Sequence, residues 1–320
     1  MENAIDYLRL SLTDRCNLNC LYCTPLERER FLRREELLSY EEIVRAVATF
    51  VRAGVRKLRL TGGEPLIKKD IVGLIKMLKK IDGLEEISMT TNGVYLAALA
   101  FSLKEAGLNR INISINSLKK ERFKTITGFD HFDEVWAGIN AARKAGLNPV
   151  KLNVILMKGI NDDEIPDFVR LAIEQHLIVR FIEYFPVNRR SYRLGDALIK
   201  SEEVKEKTTR HFGSIQSICP VVGNGPARYY KLQNSEGIIG FISGSSTNFC
   251  DHCNRVRMDC AGRICPCLFS GPTHDIRPLI RGLRSEVELL EYITGVFKIK
   301  SGFRKDFSSN CQLEMSSIGG

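Results

Sequence analysis

The chain has 320 residues, 44% of them hydrophobic, and 47 Lys and Arg against 38 Asp and Glu give a formal net charge of +9. That length suits one α/β barrel with or without an appendage, and the apolar share excludes a disordered chain. No basic block of the kind that coats nucleic acid, no apolar run able to span a bilayer and no leader pattern in MENAIDYLRL is present, so a cytoplasmic protein with no membrane or nucleic-acid partner is expected.

The first half alternates short strand-like runs with amphipathic stretches. Strands are predicted over 7–13, 57–61, 87–92, 110–116, 150–157 and 178–185. The clearest helix opens at Ser39, with Glu42 three residues on, a capping box ahead of IVRAVATFVRAG. Further helical patterns cover roughly 70–81, 96–106, 132–145 and 163–176. Strand then helix, repeated about six times, predicts a parallel sheet. After residue 186 the pattern changes: 187–225 is irregular apart from a helical stretch near 201–212, and strand-like ARYYKL and GIIGFIS follow. A second cysteine cluster precedes a helix opened by Ser285 and Glu288. The expected division is a barrel over 1–186 and a C-terminal extension over 187–320.

The strands carry a second message. Arg9, Ser11 and Thr13 alternate with Leu8, Leu10 and Leu12; Lys57, Arg59 and Thr61 alternate with Leu58 and Leu60. Ser88 and Thr90, then Asn112, Ser114 and Asn116, then Lys151 and Asn153, keep the same habit against apolar neighbours. Strands covered by helices on both faces read apolar on both. One polar face suits a curved barrel whose lumen holds a ligand, the other reading being a sheet with one solvated face. Lumenal Arg and Lys predict an anion there. The sixth strand, with Arg180, alternates less cleanly.

Ten cysteines in a reducing compartment point to metal ligation rather than disulfides. Cys16, Cys20 and Cys23, spaced C-x3-C-x2-C just after the first strand, lie at the rim where barrel loops build active sites. Three thiolates can hold three irons of a cubane and leave the fourth open; the alternative is a zinc site completed from a distance. Thr61-Gly62-Gly63-Glu64-Pro65 follows the second strand. Its glycines allow a close backbone approach to a ligand, and Glu64 offers a carboxylate to an ammonium group. FCDHCNRVRMDCAGRICPCLFS adds Cys250, Cys253, Cys260, Cys265 and Cys267, where C-x2-C is a common metal half-site. Cys219 and Cys311 stand in no motif.

The C-x3-C-x-aromatic-C pattern, with Tyr22 as the aromatic, and the GGEP stretch resemble the radical S-adenosylmethionine enzymes. The C-terminal C-x2-C-N-R-x-R followed by P-C-L resembles one of its families, the GTP 3′,8-cyclases of molybdenum cofactor biosynthesis. TTNG, INISINSL, LNVILMKGINDDEI, VRFIEYFPV, GPARYYKL and the final Gly319-Gly320 extend the resemblance over nearly the whole chain.

The resemblance implies a partial (βα)6 TIM-like barrel and two [4Fe–4S] clusters, one on Cys16, Cys20 and Cys23, the other on Cys250, Cys253 and Cys267 in the extension. S-adenosylmethionine is implied on the open iron of the first, contacted by Tyr22, Gly63, Glu64, Ser114 and Phe185. It implies a lyase that abstracts the ribose 3′ hydrogen of GTP and joins C3′ to C8, the first step of molybdopterin formation. Arg9, Arg59, Thr90, Lys151, Arg180, Arg255 and Arg257 fall at positions that hold the nucleotide, and Gly319 and Gly320 at a tail that enters the active site. An electron donor, a downstream cyclic pyranopterin synthase and a homodimer are the implied partners. Phe185 stands where Met is usual and Asn116 where Asp is common, while Cys260 and Cys265 are extra thiols beside the second cluster. Two other readings remain: a peptide-modifying radical S-adenosylmethionine enzyme with an auxiliary cluster, and a basic iron–sulfur or zinc protein that binds nucleic acid.

Overall fold

The computed structural model describes residues 4–24, 31–186, 191, 194, 196–219, 225–233, 235–244, 246, 253–268, 273–282 and 284–300. The first six strands are β1 (Tyr7–Ser11), β2 (Lys57–Thr61), β3 (Glu86–Thr91), β4 (Arg110–Ser114), β5 (Lys151–Leu156) and β6 (Ile178–Glu183). They lie side by side in chain order and parallel. Between them run α1 (Tyr40–Arg52), α2 (Ile71–Lys79), α3 (Leu96–Ala106), α4 (Lys120–Thr127), α5 (Phe132–Lys144) and α6 (Ile165–Gln175). The Ser39 capping box forms, each partner receiving the other's backbone N–H. α1 then buries Ile43, Ala46, Val47 and Phe50, the helical spacing of one stripe. Those residues cover the apolar face of the sheet, where Leu8, Leu10, Leu58, Leu60, Ile111 and Ile113 are fully buried.

The C-terminal part supplies α7 (Ser201–Phe212), the strands β7 (Ile215–Ile218), β8 (Arg228–Leu232), β9 (Ile238–Ile242), β10 (Arg255–Met258), β11 (Arg263–Cys265) and β12 (His274–Asp275), then α8 (Arg277–Arg281) and α9 (Glu286–Ile299). These strands do not form a separate sheet. β9 pairs parallel with β6, and β10 pairs parallel with β1. β8 and β7 extend one end antiparallel, β11 and β12 the other. The order is β12-β11-β10-β1-β2-β3-β4-β5-β6-β9-β8-β7, an unclosed barrel.

Six parallel strands were expected, and β9 and β10 raise the parallel run to eight among the described residues. Both edges of the six-stranded unit carry unpaired backbone groups, and these two strands satisfy them. α4 and β7 were not anticipated. KERFKTIT is mostly polar and buries only Phe123, Ile126 and Thr127, too few for a clear period.

Candidate active site

Gly62 and Gly63 end β2 against the loop that carries the first cysteines. Gly63 N donates to Thr13 O at 2.6 Å, and Glu64 N donates to Arg15 O at 2.9 Å. A Cβ on Gly63 would lie 2.1 Å from Arg15 O, and one on Gly62, whose φ is +152°, 2.8 Å from Thr13 O. The missing side chains therefore admit the cysteine loop's own backbone. Glu64 is 1% exposed. Its carboxylate accepts from Leu66 N at 2.9 Å, Thr91 Oγ1 at 2.6 Å and Asn92 N at 2.7 Å. Burial pushes its carboxyl up to about 7 against those three donors. The sequence suggested an acceptor for a ligand's ammonium; in the structure the Glu64 carboxylate also accepts from three protein donors and so ties β2 to the end of β3.

The opposite side of the loop is strapped to α4: Asn19 N donates to Thr127 O at 2.8 Å and Leu21 N to Ile126 O at 2.9 Å. So held, Cys16, Cys20 and Cys23 are half-exposed thiols outside any disulfide. Cys16 Sγ accepts from Leu18 N at 3.4 Å and from Asn92 Nδ2 at 3.8 Å. Tyr22, between the second and third thiols, accepts at its hydroxyl from Asn116 Nδ2 at 2.8 Å, while Asn116 Oδ1 accepts from Ile155 N at 2.8 Å. Asn116, where Asp is common, thus donates and accepts at once, which a carboxylate does not. Burial, with Cys20 and Cys23 beside it, pushes the Tyr22 hydroxyl well above its ordinary range. Among the described residues no three Cys, His, Asp or Glu side chains converge on one ion position. A cubane takes one thiolate per iron, so its ligands surround a volume rather than a point, and three half-exposed thiols on a strapped loop fit that donor set. Ser114 ends β4 opposite Asn153, and Phe185 follows β6, half-buried.

Below the loop the lumen is cationic. Arg257, Arg9 and Arg59 occupy one register row across β10, β1 and β2. Thr90, Asn112 and Lys151 form a row across β3, β4 and β5, and Asn153, Arg180 and Gly240 one across β5, β6 and β9. Arg59 and Arg180 are 8% exposed and Lys151 4%. Arg59 Nε donates to the Tyr7 hydroxyl, and its Nη1 to Met89 O at 3.3 Å. Lys151 Nζ donates to the Tyr229 hydroxyl at 3.1 Å. Arg180 donates to Asn153 Oδ1 through Nη2, and its Nε is buried with no acceptor among the described residues. Gly240 makes room for it, since a Cβ there would lie 3.1 Å from both Arg180 Cγ and the Tyr229 ring.

The charges are crowded. Burial, then Arg180, Arg110 and Arg59, push the Lys151 ammonium down to about 7. Burial and Arg255 push Arg257 down to about 10, and burial and Arg257 hold Arg9 well below its ordinary range. The carboxylate near Lys151 is Glu86, and Arg110 already pairs with it. Crowding like charges in a low-dielectric lumen is costly, and an anion there would offset that cost. Tyr7, Arg110, Tyr229 and Gly240 were not singled out from sequence. Tyr7 and Arg110 share the parity of Arg9 and Asn112, so alternation carried their signal; Tyr229 and Gly240 depend on which strand β9 joins.

β10 brings the C-terminal cysteines to the same sheet. Cys253 and Cys267 are half-exposed and flank Arg255 and Arg257 in sequence. Burial raises the Cys253 thiol, but Arg255 and Lys300 outweigh it and bring it down to about 7. Cys260 is 2% exposed and pushed up to about 12 by burial and Asp259. Cys265, 1% exposed, donates its thiol to Cys267 O at 2.8 Å. Cys219 is exposed. Cys250, Cys311, Gly319 and Gly320 lie outside the described residues.

A family model described as the Radical SAM superfamily matches residues 10–172, and one described as Molybdenum Cofactor Synthesis C matches residues 177–304. The chain is 44% identical to the GTP 3′,8-cyclase of Moorella thermoacetica, over 93% of this chain and 92% of that protein. It is 43% identical to the GTP 3′,8-cyclase of Petrotoga mobilis, over 99% and 98%. The chain belongs to the radical SAM GTP 3′,8-cyclase family. Its fold resembles Streptococcus suis SuiB bound to S-adenosylmethionine, with a TM-score of 0.63 at 15% identity over 100% of this chain and 73% of that one. It also resembles methylornithine synthase, with a TM-score of 0.51 at 19% identity over 66% and 64%. Radical SAM proteins take a [4Fe–4S] cluster and S-adenosylmethionine, and in this member of the family the strapped loop of Cys16, Cys20 and Cys23 has the donors for that cluster. No helix among the described residues is long and apolar enough to cross a membrane.

Proposed function

We propose that this chain is a lyase that cyclises GTP by joining its ribose C3′ to guanine C8, in the first step of molybdenum cofactor formation. The observation that carries this reading is the register row Arg257–Arg9–Arg59, of which Arg59 is buried, backed by the buried Lys151 and Arg180. A triphosphate carries the negative charge that a crowded cationic lumen attracts, and guanidinium forks suit its oxygens.

When bound, the cluster on Cys16, Cys20 and Cys23 with S-adenosylmethionine supplies a 5′-deoxyadenosyl radical by one-electron C–S cleavage. Tyr22, Ser114, Gly63 and Phe185 orient the methionine cofactor in this reading. Arg9, Arg59, Thr90, Lys151, Arg180, Arg255 and Arg257 hold the nucleotide so that its ribose faces the loop. Cys253 and Cys267, with Cys250, hold a second [4Fe–4S] cluster near the base, Glu64 braces the first loop from below, and Gly319 and Gly320 close the site. An external electron donor and a downstream enzyme that consumes the cyclised nucleotide complete the scheme.

The test is anaerobic reconstitution with iron and sulfide, then S-adenosylmethionine and a strong reductant, with and without GTP. GTP-dependent 5′-deoxyadenosine together with an isobaric GTP product, read by mass spectrometry, is the expected result. 5′-Deoxyadenosine that forms equally without GTP, with the nucleotide unchanged, would overturn the substrate.

A further inference from the structure

Lys300 belongs to no motif, yet it is 8% exposed, unusual for a lysine. It follows the last residue of α9. That helix is fixed against α1 by Phe297 on Phe50, ring centroids 6.0 Å apart, and by Arg45 on Glu286 at 2.7 Å. Leu289, Ile293 and Val296 form its buried stripe. The packing delivers the Lys300 ammonium to the ends of β10 and β11. There it donates to Arg255 O, to Pro266 O at 3.3 Å and to Cys253 Sγ at 3.5 Å. Among the described residues it bonds no carboxylate.

An ammonium has three donors, and here two carbonyls and one sulfur receive them. A buried cation is tolerated when an anion is within reach, and of these three acceptors only the sulfur can carry a full negative charge. Arg255, whose own carbonyl is one of the acceptors, adds a second cation beside the same sulfur. The arrangement gives the Cys253 sulfur a hydrogen-bonded ammonium as its neighbour.

We propose that Lys300 is a positioning residue for the C-terminal cluster: its ammonium hydrogen-bonds the Cys253 thiolate, holds it in a ligating orientation and raises the cluster's reduction potential. The proposal rests on the reading that Cys253 ligates a second [4Fe–4S] cluster. A hydrogen bond and a positive charge at a ligand sulfur stabilise the reduced cluster, which carries one more electron.

The test uses the full chain with C16A/C20A/C23A, which leaves only the C-terminal cluster, reconstituted anaerobically with iron and sulfide. Iron content and an EPR-monitored redox titration are compared for Lys300, K300M and K300R. K300M should make reduction about tenfold less favourable, a midpoint lower by ~59 mV for one electron, with K300R recovering most of it. Loss of iron in K300M that K300R restores would also bear the proposal out. An unchanged midpoint in K300M, or iron lost alike from K300M and K300R, would overturn it. Absence of any cluster in C16A/C20A/C23A with Lys300 intact would remove the second-cluster reading itself, a failure distinct from an unchanged midpoint.

Discussion

Binding of GTP should take up a proton at Lys151. In the ligand-free chain its ammonium lies at about 7, because burial and the guanidinium groups of Arg180, Arg110 and Arg59 disfavour its charge. A triphosphate supplies counter-charge and returns the group toward the ordinary lysine value of about 10.4. At pH 8.5 the free protein then holds roughly 3% of the ammonium form and the complex nearly all of it, so close to one proton enters per GTP. The γ-phosphate is already ionised there, phosphate's second pKa being about 6. Affinity should fall roughly tenfold per pH unit between about 7 and 10. For the empty fold the sign is that of a lowered base: the cost of burying Lys151 is full below about 7 and falls progressively as pH rises from there toward the unfolded value of about 10.4. The assay is titration calorimetry at pH 8.5 in two buffers of different ionisation heat. K151R keeps a permanent charge, so its proton uptake should vanish. Uptake near zero in the parent chain, or unchanged uptake in K151R, would refute the reasoning.

Four further outcomes are expected. Replacing Cys16, Cys20 or Cys23 by Ala should lower reconstituted iron from about eight to about four atoms per chain and abolish S-adenosylmethionine cleavage; full iron retention would place the cluster elsewhere. G63A puts a methyl 2.1 Å from Arg15 O, so urea unfolding of the apo-protein should show a loss of about 1–3 kcal/mol; an unmoved midpoint would mean the cysteine loop yields freely. R180M removes a buried like charge beside Lys151, so the empty protein should melt higher while GTP binds at least ~10-fold more weakly; equal affinity would take Arg180 out of the nucleotide site. C260A should leave iron and activity intact, since that thiol is buried and pushed up to about 12; lost iron would make it a ligand.

Much of the site was legible because polar residues on a barrel strand share one parity. Arg9, Arg59, Thr90 and Lys151 follow from that rule alone, and the register rows bear the placement out. The capping boxes at Ser39 and Ser285 are local devices, and both form where the sequence places them. Non-local pairing was not legible. RVRM read as part of a cysteine motif, and nothing near it says that Arg257 would lie beside Arg9. The protein partners of Glu64 were hidden for a related reason: its three donors come from Leu66 and from the end of β3, and two of the three are invisible until the strands are placed. Lys300 gave no signal because a lysine after a helix ordinarily points to water.

The pairing of β1 with β10 has a consequence for synthesis. Asp6 and Asn254, 248 positions apart in sequence, are hydrogen-bonded neighbours at the start of those strands. At about 5–20 residues per second, the first strand emerges roughly 10–50 s before its partner exists. During that interval one edge of β1 is unpaired, and the loop that follows it carries three thiols on an unfinished frame. Iron inserted early would meet a loop whose neighbouring lumen wall is still missing. Cluster delivery timed after release from the ribosome, with a chaperone shielding the bare edge, is the order of events that this topology favours.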